Sequence, residues 1–245
     1  MIAVFVFVAQ MPMVRAIEGD QHVMVIIAWD EEMVSYAATC GWNPYNLVKF
    51  EVELASDYLY STFGIRFEIV DSKTWNSNNA LTVSTERLKE AVFKTGYKYG
   101  FTTTSPLLIA VTAQNMWEYT SQGTYYIYGR TENDLTKPEY GAMLIRFTPD
   151  FHTNSIILHE TSHLYDCDNH YGWTIGMYRY CIMQTKDDPN TGRPVCLDSH
   201  SWCSECMQHI NANKRRFGSE EKAMGPWIIV PGPTTLSNKT GGELG

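Results

Sequence analysis

Apolar and polar positions along this chain fall into blocks whose period switches between two and about four. Val23 to Trp29 (VMVIIAW) is a continuous, β-branched apolar run and reads as a buried strand. From Asn46 to Thr62 the spacing becomes helical, with Leu47, Phe50, Leu54, Tyr58 and Ser61 along one side. Asn43-Pro44 suits its start and Gly64 its end. Ile65 to Val70 (IRFEIV) alternates and predicts a second strand, and the Ser- and Asn-rich stretch Ser72 to Ala80 a loop. Glu86 to Tyr97 reads as another helix and Leu107 to Val111 (LLIAV) as a third buried strand. Tyr125 to Tyr128 and Ala142 to Phe147 follow as two more strands. The last runs almost directly into a helix over Asn154 to Tyr165, which carries Ile156, Ile157 and Leu164 at compatible spacing and has Thr153 or Asn154 as its N-cap. This order of elements predicts an α/β (α+β) fold, a twisted mixed sheet with the last helix packed on it.

Composition narrows the picture. A chain of 245 residues, 44% hydrophobic and 19% charged, can build one large domain with a real core. The net charge of −8 argues against nucleic acid as a partner, because phosphate binding needs a basic surface. The apolar run Ile2 to Ala9, followed by the small residues Val14 and Ala16, looks like the core and cleavage site of a secretory signal over residues 1–16. A buried first strand is the other reading. The run is too short to span a bilayer and no other stretch is long enough, so a soluble, secreted, monomeric protein is expected. The domain then covers residues 17–224, with its N-terminal part ending near residue 165 and a smaller C-terminal subdomain after it. Residues 225–245, with Pro226, Pro231, Gly232 and Pro233, read as a strand and then a tail or linker, with a sequon at Asn238-Lys239-Thr240.

The helix before residue 165 carries the chemistry. His159-Glu160-Thr161-Ser162-His163 is an HExxH motif. Positions i and i+4 share a helix face, so two imidazoles can hold one metal ion. Glu160 projects about 100° round from His159, beside a metal-bound water and not in a ligand position. That is the layout of a zinc hydrolase with a carboxylate general base.

In this motif, and in the downstream Cys181-Ile182-Met183, the chain resembles the metzincin clan of zinc metallopeptidases, whose signature is HExxHxxGxxH followed by a methionine turn. The resemblance spans roughly Val23 to Phe217 and implies a metzincin-like zincin fold. It also implies a peptide or protein substrate, catalytic zinc, Glu160 as base, Met183 beneath the metal ligands and a C-terminal helix within Ser201 to Phe217. Two positions depart from the signature: its glycine falls on Asp166 and its third histidine on Asn169. Asp tolerates the left-handed conformation that the glycine supplies. A loop one residue longer would bring His170 to the metal as third ligand. Asp168 or Asp166 are the carboxylate alternatives.

Of six cysteines, Cys40 stands alone, whereas Cys167, Cys181, Cys196, Cys203 and Cys206 cluster downstream of the motif. The order HExxH, Cys, Cys-x-Met, CxxC resembles the archaemetzincin branch, where four cysteines hold a second, structural zinc; Cys167, Cys181, Cys203 and Cys206 fit that order with different spacings. The similar reprolysin branch places a disulfide at the methionine turn, and a secreted protein favours disulfides, so both remain open. The expectation is a secreted zinc metalloendopeptidase. Its rivals are a non-catalytic metal-binding or adhesion module on the same fold and a zinc hydrolase of non-peptide amides or esters.

Overall fold

A computed structural model describes residues 20–100, 105–121, 123–134, 136–137, 139–147, 153–170, 180–185, 199–217 and 219–220. The signal-like residues 1–16, the tail 225–245 and Cys196 lie outside them.

The chain opens with β1 (Gln21–Asp30), then α1 (Glu31–Thr39), α2 (Pro44–Phe63), β2 (Ile65–Trp75), α3 (Ser84–Thr95) and β3 (Leu107–Thr112). There follow β4 (Met116–Thr120), β5 (Gly123–Ile127), β6 (Gly129–Glu132), β7 (Ala142–Arg146), α4 (Thr153–Leu164), α5 (Ser204–Asn213) and β8 (Ser219–Glu220). The main sheet runs β2-β1-β3-β7-β6. The first four strands are parallel, and β6 is antiparallel to β7. β8 pairs with the start of β1, and β4 and β5 form a separate hairpin. The mixed sheet and α/β class are therefore those the residue pattern predicts.

Strand alternation sorts the core into two layers. Val23, Val25 and Ile27 of β1, Leu107, Ile109 and Val111 of β3, and Met143 and Ile145 of β7 belong to a core shared with α1, α2 and α4. Ala28, Leu108, Ala110, Ala142 and Leu144 face Leu88, Ala91 and Val92 of α3. Both faces are covered, which is why the central strands read as unbroken apolar runs. Helix α4 lies against α2, β6 and β7 and so is fixed from three sides.

Three expectations need correction, and one helix is absent from the residue pattern. The buried stripe of α2 is Val48, Val52, Ala55, Leu59 and Phe63, with Leu47 beside it; Phe50 and Ser61 face solvent. The helix carries more than one apolar stripe, and the buried one joins the core shared with the sheet. The first part of the predicted loop Ser72 to Ala80 is still strand, as far as Trp75. Neither Thr153 nor Asn154 is an N-cap flanking α4. The helix begins at Thr153, and Glu51 of α2 accepts from both the Asn154 backbone N–H and its side-chain amide at 2.9 Å. A carboxylate from a distant helix thus satisfies a first-turn donor and complements the helix dipole. Finally, α1 follows β1 with no break. Asp30 is its N-cap and accepts from the Met33 N–H at 2.9 Å.

Candidate metal centres

The C-terminus of α4 is closed by a Schellman turn: Cys167 N–H donates to Ser162 O and Asp166 N–H to His163 O, both at 3.1 Å. Asp166 sits at φ +67°, the left-handed conformation expected at the signature's glycine position, and is the one non-glycine residue with positive φ among those described. Arg216 fixes it. The guanidinium donates to Leu164 O at 2.7 Å and pairs bidentately with the Asp166 carboxylate at 2.7 and 2.5 Å.

The turn and the methionine segment orient the two imidazoles. His159 Nδ1 lies 2.8 Å from Ile182 O, and His163 Nδ1 lies 2.7 Å from Cys167 O. A carbonyl can only accept, so each ring carries a proton on Nδ1, which in the neutral imidazole leaves the lone pair on Nε2, the tautomer of a metal ligand. The ring centroids are 4.9 Å apart. Burial, with the neighbouring His163, pushes the His159 imidazole below its usual pKa, which keeps it neutral. Ile182 is held in turn by its own N–H to Ser201 O at 2.7 Å, and Met183 beside it is fully buried.

Both histidines and Glu160 line a cleft of about 380 Å³. Its other wall is the β4–β5 hairpin and β6. Glu118 pairs with Arg130 across it at 2.9 Å, and Tyr126 and Tyr128 stack with Arg146. Gly129 lies directly against Glu160: a Cβ at that glycine would sit 2.4 Å from Oε1. Among the described residues β6 pairs only with β7, so it ends the sheet beside the cleft, whereas Ala142–Arg146 is paired on both sides. Reading the sequence for alternation missed Gly129-Arg130-Thr131-Glu132, because it carries no apolar position. Asn133 and Thr185 of the cleft wall were equally silent.

His170 does not face this cleft. Its N–H donates to Met183 O at 2.8 Å, and it forms a parallel β-bridge with Gln184. In that extended stretch successive side chains point to opposite sides. Asn169 goes to the cleft, where its side chain hydrogen-bonds His159, and His170 goes the other way. There His170 Nε2 lies 3.2 Å from Cys206 Sγ and 3.3 Å from Cys203 Sγ. His170, Cys181, Cys203 and Cys206 place their donor atoms within 4.8 Å of one another. The expected Cys167 is adjacent but outside this set, its thiol pointing to Cys206 O at 3.6 Å. The expectation of His170 as third ligand of the histidine pair therefore does not match its placement, because a one-residue shift along extended chain reverses the side chain. Asp166 is committed to Arg216, and Asp168 does not line the cleft.

The donor set of this second cluster suits zinc. Cys181 and Cys206 Sγ are 3.7 Å apart, close to the edge of about 3.8 Å of a tetrahedron with Zn–S bonds of about 2.3 Å, and far from a disulfide length of about 2.05 Å. The five described cysteines are free thiols. Cys203 caps α5, accepting from the Cys206 N–H at 3.5 Å, and Cys203 N–H reaches Cys181 Sγ at 3.3 Å. Crowding by the Cys206 thiol, then burial, raises the Cys181 pKa. The Cys167 thiol does the same to Cys206, and burial to Cys203. Three such thiols ionise together only around a cation.

A mixed sheet with an HExxH helix under its antiparallel edge strand defines a zincin-like α/β fold. The archaemetzincin of Methanopyrus kandleri shares it, with a TM-score of 0.50 at 12% identity over 79% of this chain and 96% of that chain. A chain from the structure of a chaperone-substrate complex aligns with a TM-score of 0.49 at 10% identity over 82% of this chain and 36% of that one. No family description and no curated protein matches the sequence.

Proposed function

We propose that this chain is a zinc-dependent metallopeptidase. The observation that carries the reading is the paired tautomer: both HExxH imidazoles give Nδ1–H to backbone carbonyls and keep Nε2 for a metal, in a cleft that also buries Glu160. His159 and His163 would hold a zinc ion, which would supply an acidified water and a Lewis acid for a carbonyl. Glu160 takes the proton of the attacking water and returns it to the leaving nitrogen. The outer edge of β6 pairs with an extended peptide, which lays its backbone across the cleft. His170, Cys181, Cys203 and Cys206 would hold a second, closed zinc, which would brace the methionine segment against α5. Secretion belongs to the reading through residues 2–16, and N-terminal sequencing of mature protein recovered from medium tests it.

The test is Glu160→Gln, assayed on casein beside a panel of small amides and esters, with zinc content measured in parallel. A peptidase loses casein turnover by several orders of magnitude and keeps its metal. Turnover confined to the small esters would move the protein to non-peptide hydrolysis. No turnover in the wild type would favour the metal-binding module, the reading that Asn169 at the third-ligand position supports.

A further inference from the structure

We infer that the histidine pair is completed by the amide oxygen of Asn169, so that the chain carries two unlike metal sites whose ligands meet at adjacent residues, Asn169 and His170. The inference rests on the reading of the HExxH pair as a metal site. Its substance is the split itself. Asn169 shares the cleft with His159 and His163 and hydrogen-bonds the His159 ring. The Nδ1 edge of that ring is already taken by Ile182 O, so Asn169 meets the Nε2 edge, where its amide N–H donates to the lone pair; a half-turn of the amide brings its oxygen to a metal that takes that lone pair instead. His170, the next imidazole along the chain, is committed to Cys203 and Cys206 on the opposite side of the same extended stretch. The β-bridge to Gln184 and the bond from His170 N–H to Met183 O fix this alternation, so the two residues cannot exchange roles without breaking it.

The consequence is a difference in hardness and strength. Three thiolates and an imidazole form a soft, closed, tetrahedral site. Two imidazoles and a neutral amide oxygen form a harder, weaker and more exchangeable one, open to water and substrate. Adding a third imidazole strengthens it, and removing the amide weakens it.

Cobalt(II) titration of the metal-free full-length chain reads both sites without any enzymatic assay. The first equivalent is expected to give intense thiolate-to-cobalt charge-transfer absorption. The second, binding more weakly, gives visible ligand-field bands with no added charge transfer. Asn169→His should tighten the second event by about tenfold or more and leave the first unchanged, and Asn169→Ala should weaken it by a similar factor. Asn169→Asp preserves the side-chain shape and keeps the test valid should the alanine variant fail to fold; it too should tighten the second event. His170→Cys should intensify the charge-transfer band of the first event and spare the second. Loss of the second event in His170→Cys, or indifference of that event to all three Asn169 variants, would overturn the inference. A second ion that depends on Asn169 without any peptide turnover sinks the peptidase and leaves the donor set standing. Turnover indifferent to Asn169 does the reverse.

Discussion

At the scale of single residues, the cleft depends as much on a missing side chain as on those present. Gly129 leaves the space that the Glu160 carboxylate fills, and any Cβ there falls within 2.7 Å of three Glu160 atoms. Gly129→Ala should therefore displace the base by about an ångström. Activity is expected to fall by about a hundredfold in kcat, with zinc content and thermal midpoint close to wild type. A drop in zinc content together with kcat would mean that the clash is relieved by moving α4 instead. His159, Glu160 and His163 were readable from spacing alone, as was Asp166 standing in for a glycine, because helix geometry and backbone sterics are local. Gly129 was not, because the residue it clears space for lies 31 positions away and no local pattern records that. The contrast between Asn169 and His170 was out of reach for the same reason: it depends on a β-bridge to Gln184 that forms only in the folded chain.

At the scale of elements, the junction of β1 and α1 joins helix capping to pH. Asp30 is 1% exposed, and burial lifts its pKa from 3.8 to about 6. The hydrogen bonds from Thr112 and Met33 pull the other way, and the Glu31 and Glu32 charges add to the rise. Arg87, buried nearby, offsets part of the cost as a countercharge. A carboxyl whose pKa is raised by folding holds its proton to higher pH in the native state than in the unfolded chain. Native stability is then highest below about pH 4 as far as this group is concerned. It falls as the pH rises to about 6 and is level above that, a loss of about 3 kcal/mol. Asp30→Asn keeps an oxygen for the Met33 N–H and does not titrate. Urea denaturation at pH 4, 5, 6 and 7 should show the wild type losing stability across this window relative to the variant; parallel curves would show that Asp30 does not titrate there. Helix α1 is also the element hardest to see in the sequence, since a strand passes into it at a single polar residue with no Gly or Pro between them. Strands β1, β3 and β7 were plain because both their faces are buried. In α2 the helix was legible but its inner face was not, since more than one apolar stripe shares its spacing and only the folded chain selects which meets the sheet.

At the scale of the whole molecule, the C-terminal segment is tied to the rest by a few specific bonds. Trp202 packs edge-on against Phe63 of α2 and donates to Ser162 Oγ at 2.8 Å; Arg216 caps α4, and Phe217 packs on Tyr165. The cysteine cluster lies among these bonds. A metal bound there is therefore expected to stabilise the fold as a whole, by an amount worth on the order of 10 °C in thermal midpoint. Differential scanning calorimetry of the native protein before and after treatment with a chelator and a mercurial tests this. A shift of a degree or less would show that no metal at the cluster holds the fold together. No helix among the described residues is long and apolar enough to cross a membrane.

The two carbonyls that hold the cleft imidazoles come from Ile182 and Cys167, which neighbour Cys181 and precede His170 in segments that the thiol cluster gathers. Metal at the cysteines would therefore steady the Ile182 carbonyl, and with it the aim of the His159 ring, whereas the Cys167 carbonyl is already set by the turn that closes α4. Refolding with one equivalent of metal should fill the cysteines first, because three thiolates bind more tightly than two imidazoles and an amide, and oxidation of the thiols beforehand should abolish that first event.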